Sequence, residues 1–269
     1  MSMKMRTSYF GFAKDLDAID AAGYDCAEMH IKEVMEFDDA AYGVAKRKIR
    51  DSGLTVEVFD NPLPLDKVVA DPGFDWDFYV DYLKKAVERT AEMGARYYVY
   101  GNGRTRSTKA GANEKADIKK NEDMLATLCE LAAQANITIL LEPLAASLSS
   151  RWLGVPENFE YAKNSGIPNL KTLIDYRWFL EEKHSFSIVE QYADFIQHVH
   201  IDNPLSPFPT RIMPAVDDGH DYAPLFDVLK KICYKGIISI EANTSTDFPI
   251  DLKRGLELFA KHGIRSYRS

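Results

Sequence analysis

Short apolar segments typical of β-strands alternate eight times with helical segments along this chain of 269 residues. A strand buried on both faces of a parallel sheet is a nearly continuous apolar run, and residues 138–142 form such a run. Eight alternations in a chain of this length are typical of a (β/α)₈ barrel. The sequence therefore predicts an α/β protein, a TIM barrel. A doubly wound sheet is the alternative, but the chain has no dinucleotide-binding fingerprint.

The predicted strands and helices alternate along the whole chain, with open loops at residues 107–116 and 202–221. The predicted strands occupy residues 6–10, 26–30, 54–59, 96–100, 138–142, 170–175, 196–200 and 236–241. The predicted helices occupy residues 15–22, 38–53, 75–93, 117–134, 156–165, 188–195, 222–234 and 250–262. Gly23, Gly53 and Gly94 each stand before a strand, where a glycine commonly ends a helix. No composition shift or linker divides the sequence, so we expect a single domain over residues 1–269.

The composition argues against several classes of protein. A formal net charge of −8 and a pI near 5.3 disfavour a nucleic-acid-binding surface. No stretch approaches the roughly 18 apolar residues of a membrane span. Cys26, Cys129 and Cys233 show no CxxC spacing, which favours a reducing compartment and small buried side chains over disulfides. We therefore expect a cytoplasmic protein with no nucleic-acid or membrane partner.

Four predicted strands end on a side chain that can bind a metal ion, namely Glu142, Asp175, His200 and Glu241. The carboxyl ends of barrel strands meet on one face, so we expect these side chains to lie close together. Clustered acids repel one another unless a cation neutralises them. Oxygen-rich ligation with one imidazole suits Mn²⁺, Mg²⁺ or Co²⁺, and Zn²⁺ less well. The alternative is that each acid caps a helix or pairs with a lysine or arginine.

Several short motifs, weak singly, are more specific in their order and spacing. They are YGNGRTR at residues 100–106, LEPL at 141–144, LID at 173–175, HVHID at 198–202, YKG at 234–236 and ISIE at 238–241. With them the chain resembles the xylose isomerase-like barrels of the sugar phosphate isomerase/epimerase superfamily. That superfamily includes ketose 3-epimerases, hydroxypyruvate isomerase and inosose dehydratase.

The resemblance implies an enzyme of carbohydrate metabolism with one bound divalent metal ion. Glu142, Asp175, His200 and Glu241 would bind it, with Mn²⁺ expected first and Mg²⁺, Co²⁺ or Zn²⁺ as alternatives. Glu142 and Glu241 would also be the catalytic acid and base, on opposite faces of a sugar or keto-sugar. A chelated carbonyl and its neighbouring hydroxyl allow proton transfer through a metal-stabilised enediolate, which gives isomerisation or epimerisation. Relatives are usually dimers or tetramers, so a homo-oligomer is expected by analogy.

Two departures from the family favour a lyase as the alternative function. Many relatives carry a histidine three residues after the aspartate, where this chain has Trp178, and residues 145–148 are less polar than in relatives. A more apolar pocket suits an inosose-type dehydratase or a C-glycoside-cleaving subunit acting on a 3-keto sugar. An abasic-site endonuclease would need more histidines than six and a basic surface. A non-catalytic sugar-binding barrel has no need for both Glu142 and Glu241.

Five residues are expected to contact the substrate, namely Arg211, His30, Trp178, His198 and Asn102. For Arg211 the alternative is a solvated loop arginine, and for His198 a hydrogen-bonded histidine behind the site. Glu57 is expected near a strand tip, facing the mouth and paired with Arg104 or Arg106. Those arginines are alternatively a site for a phosphate or carboxylate, because a guanidinium matches such groups.

Overall fold

Eight parallel strands in chain order form a closed barrel. The computed structural model describes residues 5–108, 111 and 113–268. Each strand pairs with its neighbours in sequence, and the first also pairs with the eighth, which closes the sheet. Strands β1 to β8 span Arg6–Gly11, Cys26–His30, Thr55–Asp60, Tyr97–Tyr100, Thr138–Leu141, Leu170–Asp175, Ile196–Ile201 and Ile237–Ile240. The predicted TIM-barrel fold is confirmed.

Helices connect the strands around the outside of the barrel. Helices α1 to α10 span Leu16–Ala22, Ile31–Glu36, Asp39–Asp51, Trp76–Met93, Glu114–Ala133, Gly154–Asn164, Tyr176–Glu181, Ser187–Gln191, Ala223–Lys231 and Phe248–Lys261. Asp38, Asp75 and Asp247 cap α3, α4 and α10, because each side chain accepts a hydrogen bond from the backbone N–H three residues later. None of the helices in the described ranges combines the length and hydropathy needed to cross a bilayer.

Two short helices, α2 and α7, are missing from the predicted pattern. Each has six residues and begins directly after a strand, so it is too short to show a helical apolar period. The side chain of Asp175 caps α7 by accepting a hydrogen bond from the backbone N–H of Trp178 at 3.1 Å. The helix therefore starts immediately after Asp175, the residue that ends β6, which places Trp178 beside the carboxyl end of the barrel.

The alternation of side chains along each strand gives the barrel interior two layers. The lower layer is an apolar cluster of Cys26, Val58, Val99, Leu140, Leu173 and Ile237. Successive side chains point to opposite faces, so the residue two positions further on faces the same interior, nearer the carboxyl end. That residue is Glu28 after Cys26, Asp60 after Val58, Glu142 after Leu140 and Asp175 after Leu173. The interior is thus apolar below and acidic above.

Glu57 holds together the opposite, amino-terminal end of the barrel. Its Oε2 lies 2.9 Å from Nη2 of Arg6, which begins β1, and 3.2 Å from Nη1 of Arg96, just before β4. The prediction that Glu57 faces the mouth and pairs with Arg104 or Arg106 is wrong. Glu57 is only the third residue of β3, so its side chain reaches the arginines at the beginning of the neighbouring strands.

The three cysteines do not share one environment. Cys26 and Cys129 are buried, as predicted, whereas Cys233 is exposed. The predicted last helix turn is absent at Cys233, because α9 ends at Lys231 and Cys233 has a φ of 52°. The residue lies in a surface turn before β8, so the expectation that all three are buried is wrong.

Candidate active site at the barrel mouth

Four side chains at the carboxyl ends of β5 to β8 converge on one point. Glu142, Asp175, His200 and Glu241 each offer one ligand atom, and these atoms lie within 4.8 Å of one another. Nδ1 of His200 is 3.2 Å from Oε1 of Glu142 and 3.2 Å from Oε2 of Glu241. The structure therefore brings together the four residues that the sequence predicts as metal ligands.

The chemistry and spacing of these donors fit a divalent cation. Ligand atoms that surround an ion at about 2.1 Å in octahedral geometry are roughly 3 to 4.3 Å apart. The 4.8 Å limit on the four atoms is close to that range, so small side-chain movements would complete the coordination. Three carboxylates and one imidazole are donors that suit hard and borderline divalent ions such as Mn²⁺, Mg²⁺ and Co²⁺.

Glu28 on β2 contacts both histidines of β7, and it is absent from the predicted site residues. Its Oε1 is 3.0 Å from Nε2 of His200, and its Oε2 is 3.0 Å from Nε2 of His198. A carboxylate that accepts the Nε2–H of His200 orients the ring so that Nδ1 faces Glu142 and Glu241. There Nδ1 donates to these carboxylates when it is protonated and is free to bind a metal when it is not. The sequence could have indicated Glu28, because a carboxylate within a buried apolar strand requires a hydrogen-bonding or cationic partner.

Arg211 joins two of the clustered acids. Its Nη2 lies 2.7 Å from Oδ2 of Asp175, and its Nη1 donates a hydrogen bond to Oε2 of Glu241. The side chain is buried, and its guanidinium carbon lies 5.4 Å from the centre of the Trp178 ring. Arg211 is therefore not a solvated loop residue, and it carries a fixed positive charge into the acidic layer.

The charges around the cluster give its two glutamates different proton affinities. Burial raises the pKa of Glu142 to about 7, although the hydrogen bond from His200 lowers it, and the charges of Asp175 and Glu241 raise it further. Burial also raises the pKa of Glu241, but the charges of Arg211 and His200 outweigh burial and leave that pKa lowered. Two neighbouring carboxyl groups with separated pKa values are the arrangement expected of a general acid and a general base.

Two more buried acids border the cluster without having been predicted as site residues. Asp60 ends β3, and its burial, with the charges of Glu142 and Glu28, raises its pKa well above the ordinary value. Asp202 follows β7, where its Oδ2 is 2.6 Å from Nη2 of Arg177. Burial raises the pKa of Asp202 to about 6 against the opposing charge of Arg211. Both are acids at the carboxyl end of a strand, the pattern that identified the other four.

The Gly-rich loop after β4 packs directly against Glu142. A Cβ atom at Gly101 would lie 1.9 Å from Oε2 of Glu142, so any other residue there would displace that carboxylate. Arg106 is fully buried, and it donates hydrogen bonds to the backbone oxygens of Glu142 at 2.7 Å and Tyr100 at 3.2 Å. Because backbone carbonyls engage its guanidinium, the expectation that Arg106 binds a phosphate or a carboxylate is wrong. Burial lowers its pKa to about 10.

Two cavities open at the barrel mouth and share a wall formed by Asp60, Asn61, Arg211 and Glu241. The larger, of about 500 Å³, is lined by His30 and by polar residues of the β8–α10 loop. The smaller, of about 320 Å³, is lined by Asn102 and Trp178. Four of the five predicted substrate contacts therefore line a cavity, and each cavity reaches Glu241.

His198 is the exception among the predicted substrate contacts. Its side chain is fully buried, and neither cavity is lined by it. It lies behind His200, where its Nε2 donates a hydrogen bond to Oε2 of Glu28 at 3.0 Å. The alternative of a hydrogen-bonded histidine behind the site therefore describes it. Asn102 does line a cavity, but its side-chain amide donates a hydrogen bond to the protein itself. Its Nδ2 lies 3.1 Å from the backbone oxygen of Leu65.

Comparison with known proteins gives one family and a consistent set of folds. A profile of the family described as xylose isomerase-like TIM barrels matches residues 16–264. A D-allulose 3-epimerase from Methylomonas sp. is 17% identical, with a TM-score of 0.80 over 97% of this chain and 100% of that one. A 3-keto-D-glucoside 4-epimerase from E. coli is 18% identical, with a TM-score of 0.77 over 96% and 100%.

A third structural neighbour carries a different activity. A probable 3-DHS dehydratase from Bacillus anthracis is 15% identical, with a TM-score of 0.72 over 95% of this chain and 99% of that one. A search of curated protein sequences gives no significant match. At such identities these structures show a common fold, and the fold alone hosts several reactions.

Proposed function

Because the chain belongs to the family of xylose isomerase-like TIM barrels, we propose that it is a divalent-metal-dependent sugar isomerase or epimerase. One observation carries the proposal. Glu142 and Glu241, at the ends of β5 and β8, both approach Nδ1 of His200 at 3.2 Å, and both line the same cavity. Two carboxyl groups beside one candidate metal position are what proton transfer next to a carbonyl requires.

Glu142, Asp175, His200 and Glu241 would hold the ion, which we expect to be Mn²⁺ first. When bound, the ion would supply Lewis-acid stabilisation of the negative charge that develops on the substrate oxygen. Glu28 keeps the His200 ring in the tautomer and orientation that ligation needs. The ligand atoms come from four consecutive strands of the barrel, so the scaffold that positions them is rigid.

The remaining steps belong to the two glutamates and Arg211. Glu241, which Arg211 keeps ionised, removes the proton from the carbon beside the substrate carbonyl. Glu142, on the other side of His200 Nδ1, returns a proton to the other face or to the neighbouring carbon. The first outcome is epimerisation and the second is isomerisation. Arg211 lines both cavities and would orient an oxygen of the substrate.

A lyase is the second candidate function, and a specific observation favours it. Trp178 and Leu148 give the smaller cavity an apolar side directly beside Glu142. If Glu142 delivers its proton to a hydroxyl or glycosidic oxygen one carbon further on, that group leaves. The same site then catalyses an elimination. A dehydratase among the structural neighbours is consistent with this alternative.

We also propose three further properties of this protein. They are a single domain over residues 1–269, a homodimer or homotetramer, and a cytoplasmic location. The proposed partners are limited to a small-molecule sugar or keto-sugar, with no nucleic acid and no membrane.

The proposed function is tested by metal content and by proton exchange. The purified protein is loaded with Mn²⁺, its bound metal is quantified, and it is incubated in D₂O with ketoses, keto-inositols and 3-keto-glycosides. We expect one equivalent of metal and deuterium incorporation next to a carbonyl, lost in Glu142→Gln and Glu241→Gln. Glu130→Gln, an exposed residue of α5, is the matched control and should exchange normally. A protein that binds no divalent metal would refute the proposal, and the product formed separates isomerase from lyase.

A further inference from the structure

The smaller cavity at the mouth has an apolar wall that proton transfer does not require. Besides Glu142, Arg211 and Glu241, this cavity is lined by Leu65, Leu144, Leu148, Trp178 and Phe208. We call these five side chains the apolar wall. Their position beside the two glutamates places the wall within reach of any molecule that reacts there.

The apolar wall is not part of the main core of the barrel. Leu144, Ala145 and Trp178 form a small cluster of their own, with Leu148 packed against it. Phe208, which is 51% exposed, meets Trp178 edge-on with ring centres 5.1 Å apart. Leu65 is 44% exposed. Apolar side chains that cluster around a cavity and remain open to water mark a surface for a ligand.

The cavity on the other side of Arg211 and Glu241 has a mixed lining that includes the aromatic residues Tyr9, Phe10, Phe12 and Phe248. Among its lining residues, Lys14, Asp15, Asn243, Thr244 and Ser245 are polar, and they lie on the β1–α1 and β8–α10 loops. A molecule whose reactive carbon lies between Glu142 and Glu241 thus has hydrogen-bonding groups on one side and the apolar wall on the other. The apolar wall is therefore available to a part of the substrate that carries few polar groups.

We propose that the substrate is a keto-sugar glycoside whose apolar aglycone, an aryl or branched alkyl group, packs on Leu148, Trp178 and Phe208. The inference rests on the proposed function, because that function places the keto-sugar ring beside the two glutamates. A free ketose carries a hydroxyl on nearly every carbon. Hydroxyls against the apolar wall would lose hydrogen bonds to water without replacement, which costs binding free energy.

The size of the cavity agrees with this occupant. At about 320 Å³, the smaller cavity holds an aromatic ring with part of a sugar, and the larger adds about 500 Å³ for polar groups. A flat aromatic ring can also stack on Trp178 or meet Phe208 edge-on, in the way that those two rings already meet. A second copy of the chain covering Phe208 is the competing occupant, and the experiment separates the two.

The test is equilibrium binding of a matched pair of ligands to the Mn²⁺-loaded protein. Isothermal titration compares phenyl and methyl 3-keto-β-D-glucopyranoside, which differ only in the aglycone. We expect the phenyl glycoside to bind at least about tenfold more tightly, since a buried apolar group of this size contributes that much or more. Phe208→Ala and Leu148→Ser should each reduce the preference severalfold. Phe78→Ala removes an equally exposed phenylalanine of α4 and should keep it.

Each outcome decides the inference. Equal affinities in the wild type, binding of neither glycoside, or a preference unchanged in both Phe208→Ala and Leu148→Ser would overturn it. Sedimentation of the same samples addresses the competing occupant. If Phe208→Ala dissociates an oligomer without changing the phenyl preference, the surface is an interface. Failure of the proposed function is distinct, because it appears as missing metal or missing deuterium exchange, whereas the binding preference needs no turnover.

Discussion

Nε2 of His200 lies 3.0 Å from Oε1 of Glu28, across the barrel interior from β7 to β2. The opposite ring nitrogen faces Glu142 and Glu241 at 3.2 Å each. One imidazole thus connects an inner carboxylate to the cluster at the mouth. Because the second nitrogen of a ligating histidine sets the tautomer and direction of the first, Glu28 positions the proposed ligand without touching the ion.

Replacing Glu28 with Gln is expected to weaken Mn²⁺ binding by about 10- to 100-fold, because the His200 ring loses its charged acceptor. Titration calorimetry measures the affinity, and ¹⁵N NMR of the metal-free protein should show a lower pKa for His200, because the charge of Glu28 raises that pKa against the effect of burial. Glu36→Gln on α2 changes an exposed glutamate and should leave both measurements unchanged. An affinity within twofold of the wild type would show that Glu28 does not position His200.

Replacing Arg211 with Met is expected to move the acidic limb of the pH–rate profile to higher pH. The charge of Arg211 lowers the pKa of Glu241, and a base must be ionised to act. Without the guanidinium that pKa rises, so activity is lost at a higher pH, by about one unit or more. The measurement is kcat/KM for deuterium exchange against pH, with Arg254→Met, a partly exposed arginine of α10, as control. If the acidic limb stays at the wild-type pH, Arg211 does not control the ionisation of the base.

Adding one methyl group at Gly101 is expected to disrupt the site while leaving the fold intact. A Cβ there would lie 1.9 Å from Oε2 of Glu142, so Gly101→Ala must displace that carboxylate or the loop. We expect Mn²⁺ affinity and exchange activity to fall at least about tenfold, since displacements near 1 Å are costly in catalysis. Gly73→Ala meets no atom within 4 Å and is the control. Full activity in Gly101→Ala would show that the loop yields without moving Glu142.

Replacing Glu57 with Gln is expected to destabilise the barrel by about 1–3 kcal/mol at pH 7, because Arg6 and Arg96 lose their shared carboxylate. Burial raises the pKa of Glu57, but the hydrogen bond and charge of Arg6 outweigh it and leave the pKa lowered. The stabilisation is therefore complete above the unfolded-state pKa of about 4.3 and is lost as the pH falls through the folded-state value.

Urea unfolding at pH 7 and near pH 3 measures this effect of Glu57. The difference between wild type and Glu57→Gln should shrink at the lower pH, because protonation removes the charge that the substitution removes. Glu92→Gln, which breaks an exposed pair with Lys46, should leave the unfolding midpoint unchanged. A difference that does not depend on pH would mean that packing, and not charge, accounts for the role of Glu57.

The sequence alone determined the barrel and the four-residue cluster, because both follow from local rules. Apolar runs define strands, and their alternation with helices defines the fold class. A residue at the carboxyl end of a barrel strand faces the mouth, so Glu142, Asp175, His200 and Glu241 could be placed together although up to 99 positions separate them. The order of the strands in the closed sheet makes these four residues neighbours in space.

Only the tertiary structure decided which residues support that cluster and which lie elsewhere. Glu28 meets His200 across the barrel over a separation of 172 residues, a contact that depends on the stagger of strands and leaves no local periodicity. The same stagger sends Glu57 to the amino-terminal end and buries His198 behind His200. Strand position fixes the direction of a side chain, but its depth and its partner are set by the barrel as a whole, because closure brings together strands that are distant in sequence.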